Sequence, residues 1–594
     1  MIDIHAFVAN DNLNAVEDAI KQGVGIDSYD EEGRTPIMVA VENAKTSAAM
    51  VDLLLKLGAD VNAQKRDRPL PELGDVGAEL IQEMGFDPEV FTDNPNPTSV
   101  HTVLTYAAKH ASLEKIERIV GAGGDISYVD DCGYSALVHA VHRSHSESKN
   151  DLHAIIRYLI AAGAPVDACS AYGESAMSVA SRIADIQLVK ILLEMGASDS
   201  PLGWGELLRA TAFGELETVK RLVSDRAALE ETDAWDRTPF LIAVRTGHLD
   251  IAELLLNEGA NVSAKGRCGQ TALMYAIEAQ NPTMIRWLLE QGIDVEEPDD
   301  FGGFPLILAA QNENADCVRV LLEFGAKWDR TDEHGNNGLG NAATPEIVEL
   351  FIERGGNLSD LGGEMRQRMV GHKSSEIQDA PSGSHQGFEY RTFGTSNPER
   401  MNNPHWDTLV RTRISGWAAM RDLALGDCDR PAAWCYQRFG QSITKLPDGR
   451  FVEIGGEHED HYDPDFCIYN DIAVHHGDGN FDLFGYPEDV FPPTDFHTAT
   501  YIDCSIWIIG CLGYNDQRKP GFTPVFRLDC ETFAIEEMKC TGEMPGWIHA
   551  HKARIRDNGN TIEVTSGRVQ EVDARTYNDR TFCLNLLTNT WKKA

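Results

Sequence analysis

Seven carboxyl and imidazole side chains crowd the run Glu457-His-Glu-Asp-His-Tyr-Asp-Pro-Asp465. Carboxylates and imidazoles at such density are the donors a divalent ion takes. Asp495-Phe-His497 and His549-Ala-His551 add imidazoles further along. The candidate metal set is therefore Glu457, His458, His461, Asp463, His497 and His551. The run is not H-E-x-x-H and has no helical periodicity. A solvated acidic loop between strands, a metal or polar-ligand site and a hydrolytic centre all remain open. Catalytic residues stay unknown and no cofactor is expected, a divalent metal being the one alternative the sequence leaves open. No nucleophile elbow, P-loop or dinucleotide fingerprint occurs in a fitting strand–helix context.

The elements around these residues read as short strands. Ser442-Ile-Thr-Lys-Leu and Arg450-Phe-Val-Glu-Ile-Gly-Gly456 flank the turn Pro447-Asp-Gly449. His497-Thr-Ala-Thr-Tyr-Ile with Ile506-Trp-Ile-Ile-Gly510 repeats the arrangement, as does His551-Lys-Ala-Arg-Ile with Thr561-Ile-Glu-Val-Thr-Ser-Gly567. Gly455, Gly510 and Gly567 are 55 and 57 residues apart. The later copies close alike, on Phe526-Arg-Leu-Asp-Cys-Glu-Thr532 and Phe582-Cys-Leu-Asn-Leu-Leu-Thr-Asn-Thr-Trp591. This pattern resembles kelch repeats, and the resemblance implies an all-β domain of β-propeller type. Only the first copy has a clean Gly-Gly pair, and three blades are fewer than the usual four to eight. A divergent fourth unit before Arg438, a homodimer pairing two β domains, or an open sheet would each account for the shortfall.

A different period governs the first part. Asp236-Arg-Thr-Pro-Phe-Leu-Ile-Ala243, Gly269-Gln-Thr-Ala-Leu-Met-Tyr-Ala276 and Gly302-Gly-Phe-Pro-Leu-Ile-Leu-Ala309 recur, with 33 residues between Gly269, Gly302 and Gly335. Thr238 stands where an N-cap hydroxyl takes a first-turn amide, and Pro239 follows at N1, where no donor is needed. Gly259 falls at C′, where positive φ is cheap for glycine. The template also fits at Gly33, Thr102, Gly133, Gly173, in degenerate form at Gly205, and at Gly335, with residues 2–27 as a cap. This resembles the ankyrin repeat. The resemblance implies an all-α solenoid whose β-turn tips and inner helices bind protein. Its tip positions are Tyr172, Trp235, Phe301 and His334. Exposed aromatics there are interface anchors, unless the rings pack between adjacent tips.

The expected domains are an ankyrin array over 1–360 with an insertion at about 64–98, a polar linker over 361–403, and a kelch-like β domain over 404–594 with a short helical lead-in. Net charge is -41. That excludes a basic footprint for nucleic acid or an anionic membrane. It suits the solubility of a long solenoid and, alternatively, a basic protein partner. The start shows no signal-peptide pattern, no apolar run reaches the roughly 18 residues of a membrane span, and 12 cysteines lie scattered without a C-x-x-C pair. The expectation is a cytoplasmic binding scaffold or adaptor rather than an enzyme, with a metal- or ligand-binding β module as the alternative.

Overall fold

Each 33-residue unit is too short to bury both of its helical faces, so neighbouring units must share one core. In the computed structural model this produces a series of paired helices. The structure describes residues 3–65, 101–130, 132–143, 149–170, 172–223, 226–372, 393–413, 434–458, 467–556, 559–571 and 574–594. They fall into two compact units, Met1–Ile293 with Pro298–Phe301, and Asp294–Glu297 with Gly302–Ala594.

In the first unit the helix pairs run from Ile4–Ala9 with Leu13–Lys21 to Ala272–Glu278 with Pro282–Glu290. Thr238 Oγ1 accepts from Leu241 N–H at 3.4 Å, and Thr271 and Ser175 cap their helices in the same way. Pro239 sits at N1 of Pro239–Thr246, and Gly259 has φ 98°. Leu241, Val244, Ile251 and Leu255 are all buried. Truncating one such leucine to alanine costs about 2–5 kcal/mol.

The degenerate unit at Gly205 has no tip hairpin of its own. Across that gap Arg237, paired with Asp233, donates to Ser181 O at 2.9 Å. Residues 66–100 hold nearly all of the expected insertion and lie outside the described residues. Its flanks Gln64 and Thr102 form the same antiparallel bridge as Val129–Ser135 and Cys169–Ser175.

The second unit opens with Pro305–Gln311, Ala315–Glu323 and Pro345–Ile352. At the last repeat Gly335–Ala342 forms turns instead of a first helix. Gly338 and Gly340 weaken a helix there, and the Thr-Pro entry is missing. Within the expected linker, Gly363–Met369 is a helix and residues 373–392 lie outside the described residues.

Beyond the linker the chain is β-rich. Glu399–Arg400 (β1), Ser442–Lys445 (β2) and Phe451–Ile454 (β3) are followed by a small pair, Glu457–His458 (β4) and Cys467–Ile468 (β5). Ile472–His475 (β6) and Phe481–Gly485 (β7) complete a sheet ordered β1-β7-β6-β3-β2. Thr498–Ile502 (β8), Ser505–Ile509 (β9), Val525–Asp529 (β10) and Ile535–Glu537 (β11) form a four-stranded antiparallel sheet. Next come Thr541–Gly542 (β12), Trp547–His549 (β13), Lys552–Ile555 (β14), Thr561–Thr565 (β15), Arg568–Gln570 (β16), Arg575–Tyr577 (β17), Phe582–Asn585 (β18) and Thr590–Lys593 (β19). They form a sheet ordered β12-β19-β18-β15-β14 and a smaller one ordered β13-β16-β17.

Thus three antiparallel meanders are present among the described residues. Their first strands are neighbours, β2 against β8 and β8 against β14. Val452, Ile472, Ile506 and Phe526 fill the first interface, and Trp507, Ile562, Val564 and Trp591 the second.

The edges are covered by earlier parts of the chain. Ile443 N–H donates to Ser359 Oγ at 3.2 Å, and the Asn397 amide brackets Ile535 with bonds of 2.9 and 2.7 Å. Helix Pro404–Thr412 lies with Trp406 stacked on Trp434 at 4.6 Å. Behind it Glu453 is fully buried and accepts from Arg413 (2.6 Å), His475 (2.9 Å) and Tyr436 (3.0 Å). Burial alone would raise the Glu453 pKa, but the Arg413 charge and these hydrogen bonds outweigh it and hold the carboxyl well below its ordinary range.

Candidate protein-binding surface

The tips are rigid because a short polar side chain holds each turn from inside. Asp130 Oδ1 accepts from the N–H groups of Cys132 (3.0 Å) and Tyr134 (2.7 Å). Ser170 Oγ does the same for Tyr172 (3.3 Å) and Glu174 (3.0 Å), and Asp233 for Trp235 and Arg237 at 2.9 Å each. In the second unit Asp332 takes His334 and Asn336. The turn then needs a positive φ, met by Gly133 (84°) and Gly173 (81°) but by Asp236 (59°) in the third case.

The four tip residues are not equivalent. Tyr172 is 70% exposed and Phe301 66%, the latter with its N–H held by Asp299 at 2.9 Å. His334 is exposed too. Trp235 is half-buried between two guanidinium groups, Arg267 at 4.9 Å and Arg182 at 5.9 Å from its ring. Its ring is fixed between basic neighbours, whereas Tyr172 and Phe301 have no such cation beside them among the described residues.

Beside the tips lies a cluster that motif reading did not single out as a group. His101 and His139 have ring centroids 4.6 Å apart, with Tyr134 5.5 Å from His139 and Tyr106 5.8 Å from His101. Burial pushes the imidazole pKa values down to about 4 for His101 and about 3 for His139. The signal was available: Tyr106, His139 and Tyr275 each precede the recurring alanine of a first helix.

In the β region two of the candidate metal residues are engaged with hydroxyl groups. His497 Nε2 pairs with Ser442 Oγ at 2.7 Å, and His551 Nε2 with Thr498 Oγ1 at 2.9 Å. Both imidazoles therefore bridge the start of their own meander to the first strand of the one before. The backbone repeats the link, with Phe496 N–H donating to Gly440 O (2.9 Å) and Ala550 N–H to Phe496 O (2.8 Å). Gly440, Phe496 and Ala550 all have positive φ, at 61°, 46° and 49°. Gln441 occupies in the first copy the place of His497 and His551. Burial depresses the pKa of both histidines to about 3, the neighbouring His497 and His549 adding to the effect at His551.

Glu457 and His458 are buried in β4, and Asp495 is fully buried with its pKa raised by burial. His461 and Asp463 lie outside the described residues. Among the described residues no three His, Cys, Asp or Glu side chains converge to hold a metal ion. No helix among them is long and apolar enough to cross a membrane.

Comparison with known families agrees with the helical geometry. Residues 104–200 and 207–299 match the model for ankyrin repeats (3 copies), and residues 32–66 and 301–333 that for a single ankyrin repeat. No curated protein matches the chain. Period, tip geometry and family match together make the N-terminal region an array of ankyrin repeats, followed by a β-rich region of several sheets.

Proposed function

We propose that the chain is an interaction scaffold or adaptor that captures a partner protein on the tips and inner helices of its ankyrin array. The carrying observation is that Tyr172 and Phe301 are largely exposed on hydrogen-bonded turns. A large ring held on a rigid turn loses little entropy on binding, which is what makes aromatic anchors effective. The net charge of -41 favours a basic partner, steered to the array by the field of the whole chain. Free thiols throughout the described residues support a cytoplasmic setting.

The three meanders with neighbouring first strands support a kelch-like β module of propeller type. Pairing of two β regions into one ring has weaker support, because the outer face of the β14–β19 sheet carries Lys552, Arg554 and Lys592, all exposed. A metal- or ligand-binding β module is the second reading, favoured by the fully buried Asp495 carboxyl lying beside the buried Glu457 carboxyl. Metal analysis of the purified chain tests it, and near-stoichiometric zinc or calcium would support it.

The test of the main reading is capture from native extract by the wild-type chain and by the double variant Tyr172→Ala/Phe301→Ala. A stoichiometric protein partner should be recovered by the first and lost or strongly depleted with the second. Equal recovery by both would refute the assignment of the tips.

A further inference from the structure

One small sheet of the second unit has a face that the core does not use. In the β13-β16-β17 sheet the registers set two rows, Trp547–Gln570–Arg575 and His549–Arg568–Tyr577. Directly paired residues lie on one face, as do residues two apart along a strand. All six side chains therefore share a face, while Ile548 and Val569 point the other way, into the core with Ile509 and Val564.

The face has a buried floor and a charged rim. Trp547 and His549 are 6% and 4% exposed, whereas Tyr577 is 79% exposed and Arg568 and Arg575 are both exposed. The Arg568 guanidinium stands 5.5 Å from the Tyr577 ring. Arg518 flanks the floor, donating to Leu512 O and Gly513 O, and Trp547 Nε1 donates to the same Leu512 O at 2.9 Å. Among the described residues none of these three arginines forms an ion pair within 4 Å. The buried Glu457 and Asp495 act on Arg518 electrostatically, and Arg575 opposes its charge.

His549 supplies an independent observation. Its Nε2 is buried without a hydrogen-bond partner among the described residues, and the charges it feels are Arg575, Arg518 and Arg568, after the larger effect of burial. A buried imidazole nitrogen that can donate in its Nε2–H form, acted on by three arginines that have no ion pair among the described residues, fits an oxyanion. The local balance agrees: residues 545–594 hold 8 Lys and Arg against 5 Asp and Glu, in a chain of net charge -41.

We propose that this face binds an acidic peptide segment of a partner protein, with Arg568, Arg575 and Arg518 taking its carboxylates and Tyr577 packing on its side chains. A peptide is favoured over nucleic acid because the face spans only three strands, roughly 10 Å across. A long polyphosphate would extend beyond it onto a strongly acidic chain.

The test is fluorescence anisotropy of a labelled Glu/Asp-rich peptide titrated with the full chain. The variant Arg568→Gln/Arg575→Gln is compared with the charge-matched control Arg554→Gln/Arg580→Gln, whose two arginines are exposed elsewhere. Two charge-assisted hydrogen bonds lost should weaken binding about a hundredfold, and the control should change it less than about twofold. Absence of binding by the wild type, equal effects of the two variants, or tighter binding of a single-stranded oligonucleotide of the same charge would each overturn the proposal. A thermal transition matching the wild type confirms that both variants are folded.

Discussion

Lowering the pH from 7 to 5 should loosen the contacts between the β meanders, and His497 and His551 set by how much. An unfolded histidine titrates near 6.5, whereas burial takes both of these to about 3. Below pH 6.5 the unfolded state binds a proton that the folded state refuses, so stability falls as pH falls. The contribution is intact above about pH 6.5 and declines steadily toward pH 3. At pH 5 the loss is 1.5 pH units for each group, about 2 kcal/mol each and about 4 kcal/mol for the pair. Protonation would also give the imidazole Nε2 a fixed hydrogen where it meets Ser442 and Thr498. Gln441 stands at the equivalent place in the first copy, so glutamine is the substitution that keeps a polar partner for each hydroxyl. Hydrogen exchange resolved to peptides of β8 and β14, with the intrinsic rate change divided out, reads the local free energy. Between pH 7 and 5 the wild type should lose about 4 kcal/mol more than His497→Gln/His551→Gln. Parallel pH dependence in both proteins would show that these imidazoles are not buried in neutral form.

Two further substitutions probe the packing. Asp236 holds φ 59° at a tip where other repeats place glycine, so Asp236→Gly should raise stability by about 0.5–1 kcal/mol in urea unfolding, and a decrease would mean that its side chain matters more than its backbone. Arg413→Met leaves the Glu453 charge buried beside His475 and Tyr436. It should cost about 3–5 kcal/mol in thermal or denaturant unfolding, and a loss below about 1 kcal/mol would place water at the carboxylate.

The helical part was legible because its determinants are local. The turn glycines, the Thr-Pro entry and the Leu-Leu faces act within one repeat, and each repeat packs only on its neighbours. A hydroxyl at Thr238 or Thr271 caps its own helix whatever lies far away, so a period of 33 residues suffices to read it. The strand pairs around Gly455, Gly510 and Gly567 were readable for the same reason, since hairpins are also local. Exposure of the tips was less so: Trp235 and Phe301 occupy the same register, yet two arginines from other repeats flank only the former.

What the tertiary structure alone decided is which groups the histidines meet and which side chains share a face of the small sheet. Near Asp495 and His549 the sequence shows density of titratable groups, which reads as a ligand set. The fold instead turns His497 and His551 toward hydroxyls some fifty residues back, because meanders of that length bring equivalent strands side by side. Likewise Arg518, Arg568, Arg575 and Tyr577 form no motif along the chain. Only the pairing of three short strands puts their side chains on one face, and pairing between strands is a long-range property that periodicity does not carry.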